Sequence, residues 1–395
     1  MTLLRKVTSL AQGALKPTSW QVLLASATNY SEIDSSFAQG ALTPTSWRVL
    51  LASAIFPIVI RIYNGMISAN IFALWPRPCI ILCMKLRKTP DSRFDNLPDY
   101  DFEPHFVTLD DGEGATLDMH YIEAGPADGQ PVVMVHGNPT WSFMWRKLMP
   151  QLAAAGYRAI AVDLIGMGRS DKPTRLRDYT IARHEAWLSG ALFDKLDLHG
   201  VHFVLHDWGG ILGLRVAANY QDRLASITFS NTGFPVRDPQ ETITDMAIPG
   251  SEFLRKFQLF ERFNPFWRHW NMMAKICSRD LETQVVAGYA APYPNFRYLT
   301  GNRQFTQMLP TRYDNPMLVD NFRARQKLAN FDKPFLCLYS DKDIVAPDGH
   351  QSVRPFIATA ANRAPVILKG GSHFLVEDCP EDYGAALLSF LTEIG

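Results

Sequence analysis

The sequence predicts an α/β fold, with a mostly parallel, eight-stranded sheet interrupted by a helical block after the sixth strand. Three observations predict it. From about Lys88 onwards, short apolar runs alternate with segments of helical spacing, the pattern of parallel strands joined by crossover helices. That rhythm stops over residues 236–330, where Trp, Phe, Met and Tyr recur at helical spacing without strand signals, and it returns at residue 334. One strand also runs straight into a sharp bend of small residues, Leu205-His206-Asp207-Trp208-Gly209-Gly210, before a helix.

Taken in order, HFVTLD (105–110) and TLDMHYIEAG (116–125) alternate polar and apolar residues, as an opening hairpin does. PVVMVHG (131–137) is a buried strand, residues 141–155 a helix, and RAIAVDLIG (158–166) a second buried strand followed by the loop GMGRSDKP. Residues 181–196 read as helix, VHFVLHDW (201–208) as strand, 210–220 as helix and LASITFSNT (224–232) as strand. After the helical block come strands at 334–343 and 364–374 and a closing helix at 381–394. A helical block between strands of one sheet reads as a cap over their carboxyl ends, the edge where open α/β sheets bind ligands. The expected organisation is an extension at 1–87, a core from 88–235 and 331–395, and a helical cap at 236–330.

The extension is unusual. LAQGALKPTSWQVLLASA (10–27) recurs as FAQGALTPTSWRVLLASA (37–54), and two copies are too few to stack a repeat core. Apolar sequence then runs from Val49 to Met84, broken by Arg61 and Arg77 into pieces shorter than a membrane-spanning helix needs. Three readings follow: a membrane-surface tether through residues 49–84, self-association through the extension, or a loosely ordered extension.

Composition narrows the function. Lys plus Arg equals Asp plus Glu at 39 each, which gives nucleic acid no field to answer. With 47% hydrophobic residues the chain can bury a sizeable core. Five cysteines without metal-type spacing suit reduced thiols in a reducing compartment, the cytoplasm, and suggest no metal site.

The chemistry lies at the bend. A strand–turn–helix of this kind is a nucleophile elbow, in which small residues let the helix start close behind an exposed side chain. That side chain here is Asp207 rather than Ser or Cys. A carboxylate is already an anion at neutral pH. Its attack on a carbonyl gives only an anhydride, whereas attack on tetrahedral carbon bearing a leaving group gives an ester that water can cleave. The competing reading makes Asp207 the N-cap of the next helix. Against it stands the order nucleophile, acid, histidine typical of α/β hydrolases: His373 follows the last strand in Lys369-Gly-Gly-Ser-His-Phe, and Asp343 ends the previous one. Asp343, four residues before Pro347, is preferred to Asp341 as the acid. His136-Gly137-Asn138-Pro139 is placed to give an oxyanion-hole N–H, with Trp208 giving the other. The side chains of Asn138 and Trp208 add neutral N–H donors suited to a departing halide.

HGNPTWSFMWR (136–146), DLIGMGRSDKP (163–173), HDWGG (206–210), YAAPYP (289–294) and GGSHF (370–374) together resemble the haloalkane dehalogenases, over roughly residues 88–395. Lys88-Thr-Pro-Asp-Ser-Arg-Phe94 resembles that family's amino-terminal segment, and Met84 stands four residues before it; that resemblance implies that residues 1–83 lie outside the catalytic unit, through an upstream start codon. The resemblance implies the branch with an Asp-His-Asp triad and Asn/Trp halide donors: nucleophile Asp207, base His373, acid Asp343, halide donors Asn138 and Trp208. It implies a small apolar halogenated substrate, water and no cofactor. In another branch the acid follows the strand that here holds Asn231, which is no carboxylate. A further branch uses a cap tryptophan as halide donor, with Trp267 and Trp270 as candidates. Leu205 departs from the small residue usual two places before the nucleophile. An epoxide hydrolase shares the triad and would need cap tyrosines, from Tyr289, Tyr293, Tyr298 and Tyr313. A luciferase-like or binding protein that has left hydrolysis behind is the third reading.

Overall fold

The computed structural model describes residues 84–395. The repeat, the tether reading, Cys79 and Cys83 lie outside the described residues. Eight strands form one sheet: β1 His105–Asp110, β2 Thr116–Ala124, β3 Pro131–Val135, β4 Arg158–Val162, β5 Val201–His206, β6 Leu224–Ser230, β7 Phe335–Ser340 and β8 Val366–Leu368. Their spatial order is β1-β2-β4-β3-β5-β6-β7-β8. Only β2 is reversed, pairing antiparallel with both β1 and β4, and from β4 to β8 every pairing is parallel.

Strand alternation divides the core. Val133, Val135, Ile160, Val162, Phe203 and Leu205 face one side of the sheet. Val132, Met134, Ala159, Ala161 and Val204 face the other. Both faces are buried, so the central strands read as continuous apolar runs instead of alternating ones. Each fully buried aliphatic side chain contributes about 1.5–3 kcal/mol relative to exposure. Helices α1 Met149–Ala154, α2 Ile181–Ser189 and α3 Trp208–Ala217 belong to the sheet layers, and α9 Pro380–Ile394 closes the chain. The Thr180 hydroxyl caps α2 by accepting from the Arg183 backbone N–H at 3.2 Å.

Between β6 and β7 lie α4 Glu252–Phe263, α5 His269–Ile276, α6 Thr283–Ala290, α7 Thr300–Met308 and α8 Pro316–Leu328. The one strand-like contact in this insertion is an isolated bridge between Ala247 and Arg312. Among the described residues no helix is long and apolar enough to cross a membrane.

Several boundaries differ from expectation. The helix read over 141–155 is a 3-10 turn, Ser142–Trp145, followed by α1. Pro150 has no N–H to give to a preceding turn, so it sits where a helix starts anew. Residues 364–374 keep strand geometry only over Val366–Leu368, because Gly370 turns at φ 82° and its N–H is held by Asp341 at 2.8 Å. Leu86–Arg87 pairs with Lys172–Pro173, and Met84 is buried in the core. Met84, Leu86 and Arg87 therefore pack with the catalytic unit, on the other side of the boundary drawn at 87.

Candidate active site

Asp207 sits between β5 and α3 at φ 51° and ψ −123°. A non-glycine residue held there costs on the order of 1–3 kcal/mol, which the surroundings must impose. They do so through close packing. A Cβ on Gly209 would lie 2.1 Å from the Val135 carbonyl oxygen, and one on Gly137 would lie 2.1 Å from Asp207 Oδ1. The Thr232 hydroxyl donates to the Asp207 carbonyl at 2.6 Å. Leu205 is bulky, and Gly213 makes room for it: a Cβ there would stand 2.4 Å from Leu205 Cδ2.

The Asp207 side chain makes no capping bond to α3, so the N-cap reading fails. Its Oδ1 accepts the Asn138 backbone N–H at 2.7 Å. Its Oδ2 lies 3.5 Å from His373 Nε2, and the side chain is 19% exposed, open enough to meet a small molecule. On the far side of the ring, His373 Nδ1 is 3.1 Å from both oxygens of Asp343. Asp343 is in turn held by the backbone N–H groups of Val345 and Ala346 at 2.7 and 3.2 Å. Asp341 faces the other way, onto Gly370.

Charge follows from this geometry. Burial disfavours a charged imidazole, but Asp207 and Asp343 outweigh it and raise His373 from 6.5 to about 9. Burial also opposes both carboxylate charges, and His373 more than offsets it, leaving Asp207 and Asp343 below their ordinary range. The resting set is two carboxylates around an imidazolium.

The His373 loop is fastened from below by residues that sequence reasoning did not assign. Asn231 donates its amide to Ser340 Oγ, the Ser372 carbonyl and the His373 carbonyl at 2.8, 2.8 and 3.1 Å. The position that holds an acid in another branch thus anchors the backbone here. His206 Nε2 lies 2.8 Å from the same His373 carbonyl. Burial pushes His206 down to about 4, so it is neutral and donates through Nε2.

On the other side of Asp207, α7 meets the two expected halide donors. The Asn138 amide donates from Nδ2 to Thr306 Oγ1 at 3.3 Å and accepts at Oδ1 from Asn302 Nδ2, also at 3.3 Å. Asn302 is fully buried and donates to Tyr293 Oη at 3.2 Å. Trp208 is buried with Phe305 edge-on at 5.1 Å. Asn302 and Thr306 were missed, and only their three-and-four spacing with Phe305 on one helix face could have hinted at them.

The remaining candidates separate. Trp270 stacks on Tyr293 at 5.9 Å, whereas Trp267 packs on Phe257 and Phe260 of α4. Tyr289 is spent: its hydroxyl donates to Glu377 at 2.5 Å, within a buried pair that Glu377 makes with Arg146. Of the four tyrosines considered for opening an epoxide, Tyr293 is the one hydrogen-bonded into the Asn138 cluster.

The family profile of the alpha/beta hydrolase fold matches residues 130–380. A haloalkane dehalogenase from Psychrobacter cryohalolentis is 39% identical over 308 residues, covering 78% of this chain and 98% of that protein. One from Mycobacterium marinum is 37% identical, covering 78% of this chain and all of its own length. Among solved structures, the tetrameric haloalkane dehalogenase DpaA from Paraglaciecola agarilytica NO2 superposes with a TM-score of 0.68 at 28% identity, over 78% of this chain and 98% of that one. An Asp at the elbow, a histidine and acid after the last strands, and near-complete coverage of these relatives agree: the chain belongs to the haloalkane dehalogenase family of the α/β-hydrolase fold.

Proposed function

We propose that this enzyme hydrolyses haloalkanes to alcohol and halide, with Asp207 as nucleophile, His373 as base, Asp343 as the acid that orients it, and Asn138 and Trp208 as halide donors. The observation that supports it most directly is the division of labour between the two Asp207 oxygens. Oδ1 is held by the Asn138 N–H at 2.7 Å, while Oδ2 faces His373 and the open side of the site.

In the first step Oδ2 attacks the carbon that bears the halogen. The C–O bond forms as the C–X bond breaks, and halide leaves with the bonding pair towards the Asn138 and Trp208 side-chain N–H groups. Both donors are neutral, so neither forms an ion pair with Asp207 that would blunt its attack. In the second step His373 Nε2 takes a proton from water as that water adds to Asp207 Cγ. Negative charge then develops on Oδ1, where the Asn138 N–H already points, so the donor needs no reorganisation. Collapse expels the alkoxide, which recovers that proton from His373, and loss of the second water proton from the new carboxyl group through His373 to solvent restores the Asp207 carboxylate. General-base assistance of this kind contributes about 10²–10⁴-fold.

The helical insertion acts as a cap: α7 sets Asn302, Phe305 and Thr306 against the donors and keeps bulk water from the reacting carbon. A cytoplasmic setting agrees with free Cys277, Cys337 and Cys379.

The experiment is halide release from a panel of short bromo- and chloroalkanes, with styrene oxide alongside, followed by His373→Gln. The variant is expected to release one equivalent of halide and to retain an alkyl group on the peptide containing Asp207. Halide release under single-turnover conditions with that peptide unmodified refutes the covalent route, and turnover of the epoxide in preference to bromoalkanes refutes the substrate class.

A further inference from the structure

We propose that the outer face of α4 and the loop after it form a docking surface for an anionic lipid bilayer. Phe253, Phe263 and Phe266 are 79%, 77% and 72% exposed, and Leu259 and Phe260 stand beside them at 52% and 43%. Scattered apolar residues on a surface need no explanation, but five large apolar side chains exposed within the fourteen residues 253–266 mark an interaction site. Helical spacing accounts for the sidedness. Gln258 faces inward and donates to the Thr306 and Leu309 carbonyls, both at 3.0 Å. Glu261 is buried beside His269, with 2.5 Å between Oε1 and Nε2. The phenylalanines are left on the outside.

Charge names the occupant. Arg255, Lys256, Arg262 and Arg268 are exposed on the same stretch, where Glu252 is the one exposed carboxylate. The chain as a whole carries no net charge, so this excess of cations is local. Aromatic side chains interleaved with Arg and Lys are what a helix lying in a lipid headgroup region presents: rings enter the acyl boundary while cations meet phosphates. A second copy fits less well, because pairing this face with itself about a twofold axis would set four cations against four. A nucleic acid would answer the cations and leave the phenylalanines in water.

The position also makes chemical sense, and this one link rests on the proposed function. Gln258 and Gln307 stitch α4 to α7, and α7 carries the residues against Asn138 and Trp208. The face is thus one helix away from the halide donors, and haloalkanes dissolve preferentially in bilayers.

The test uses the full chain with vesicles of mixed phosphatidylglycerol and phosphatidylcholine and with vesicles of phosphatidylcholine alone. Sedimentation is expected to show salt-sensitive binding to the anionic vesicles, with hydrogen-exchange protection of residues 252–268. Phe253→Ser/Phe263→Ser/Phe266→Ser and Arg255→Glu/Arg262→Glu should each remove that protection and weaken binding about tenfold or more, while halide release from a water-miscible bromoalkane stays at the wild-type rate. Because the catalytic readout is separate, loss of docking and failure of the dehalogenase reading are distinguishable. Protection confined to residues 1–83, binding unchanged in both variants, or a phenylalanine variant that turns an oligomer into a monomer in light scattering would each overturn the proposal.

Discussion

Ester formation should switch His373 from a cation to a base. In the free site His373 is held at about 9 by two carboxylates. Alkylation of Asp207 removes one of those charges, at 3.5 Å from Nε2. A unit charge at that distance is worth about 5 kcal/mol at an effective dielectric constant of about 20, and a pKa unit is about 1.4 kcal/mol. The His373 pKa therefore falls by about three to four units, to about 5–6 in the ester. The imidazole becomes neutral at the moment water must be activated. Rapid-quench single turnovers from acid to alkaline pH separate the two steps. Halide release is expected to be flat through neutrality, since attack by Asp207 asks no proton of His373. Ester decay should rise tenfold per pH unit below about 5–6 and then level off. Ester decay still climbing tenfold per unit up to about pH 9 would mean that His373 never lost its proton on alkylation, and the charge argument would be wrong.

Three further outcomes follow from the same contacts. Because the alcohol oxygen comes from Asp207 Oδ2, a first turnover in ¹⁸O-water should give unlabelled alcohol and a heavier Asp207 peptide; labelled alcohol in that turnover would show water attacking carbon directly. Asn302→Leu should free the Asn138 amide to rotate, slowing halide release about tenfold and weakening bromide quenching of tryptophan fluorescence while leaving ester decay unchanged; wild-type bromide affinity would remove Asn302 from the donor's support. His184 is buried with both ring nitrogens unpartnered, and burial depresses it to about 3, so its contribution to stability is present above about 6.5 and is lost as pH falls towards 3. His184→Phe should accordingly flatten the acid limb of a melting-temperature profile, and an unaltered acid limb would show that another group controls it.

The meeting of Asp207, His373 and Asp343, the proposed nucleophile, base and acid, was legible because each sits at a fixed place in a short local pattern. Asp207 lies between a buried strand and two glycines, His373 after a glycine pair, and Asp343 at a strand end before Pro347. Backbone geometry alone aims these groups, and the sheet order brings the three strand ends to one edge. Their supports were not legible, because they act across long sequence separations through unremarkable residues. Asn231 reaches the His373 carbonyl, and Asn302 reaches Asn138, with no signal in either neighbourhood. Tyr289 looked like a cap donor from its position, yet a buried ion pair on another element claims its hydroxyl. Similarly, the helix expected at 141–155 has apolar spacing throughout, and the backbone requirement of Pro150 overrides it.

This division has a physical origin that bears on substrate choice. The proposed nucleophile and its histidine are set by strand ends, whose positions depend on a fully buried sheet and tolerate little change. The leaving-group side is set by α7, which meets Asn138 and Trp208 through two side-chain hydrogen bonds and one ring contact. A shift of α7 by a fraction of an ångström would leave the attack geometry at Asp207 intact while altering how well a halide is held and how long an alkyl chain fits. Substitutions along α7 should therefore redistribute activity among halogens and chain lengths, whereas substitutions in β5 or β7 should abolish activity for all of them. Uniform loss across a substrate panel from Thr306→Val, with the fold intact, would show instead that α7 belongs to the catalytic constellation itself.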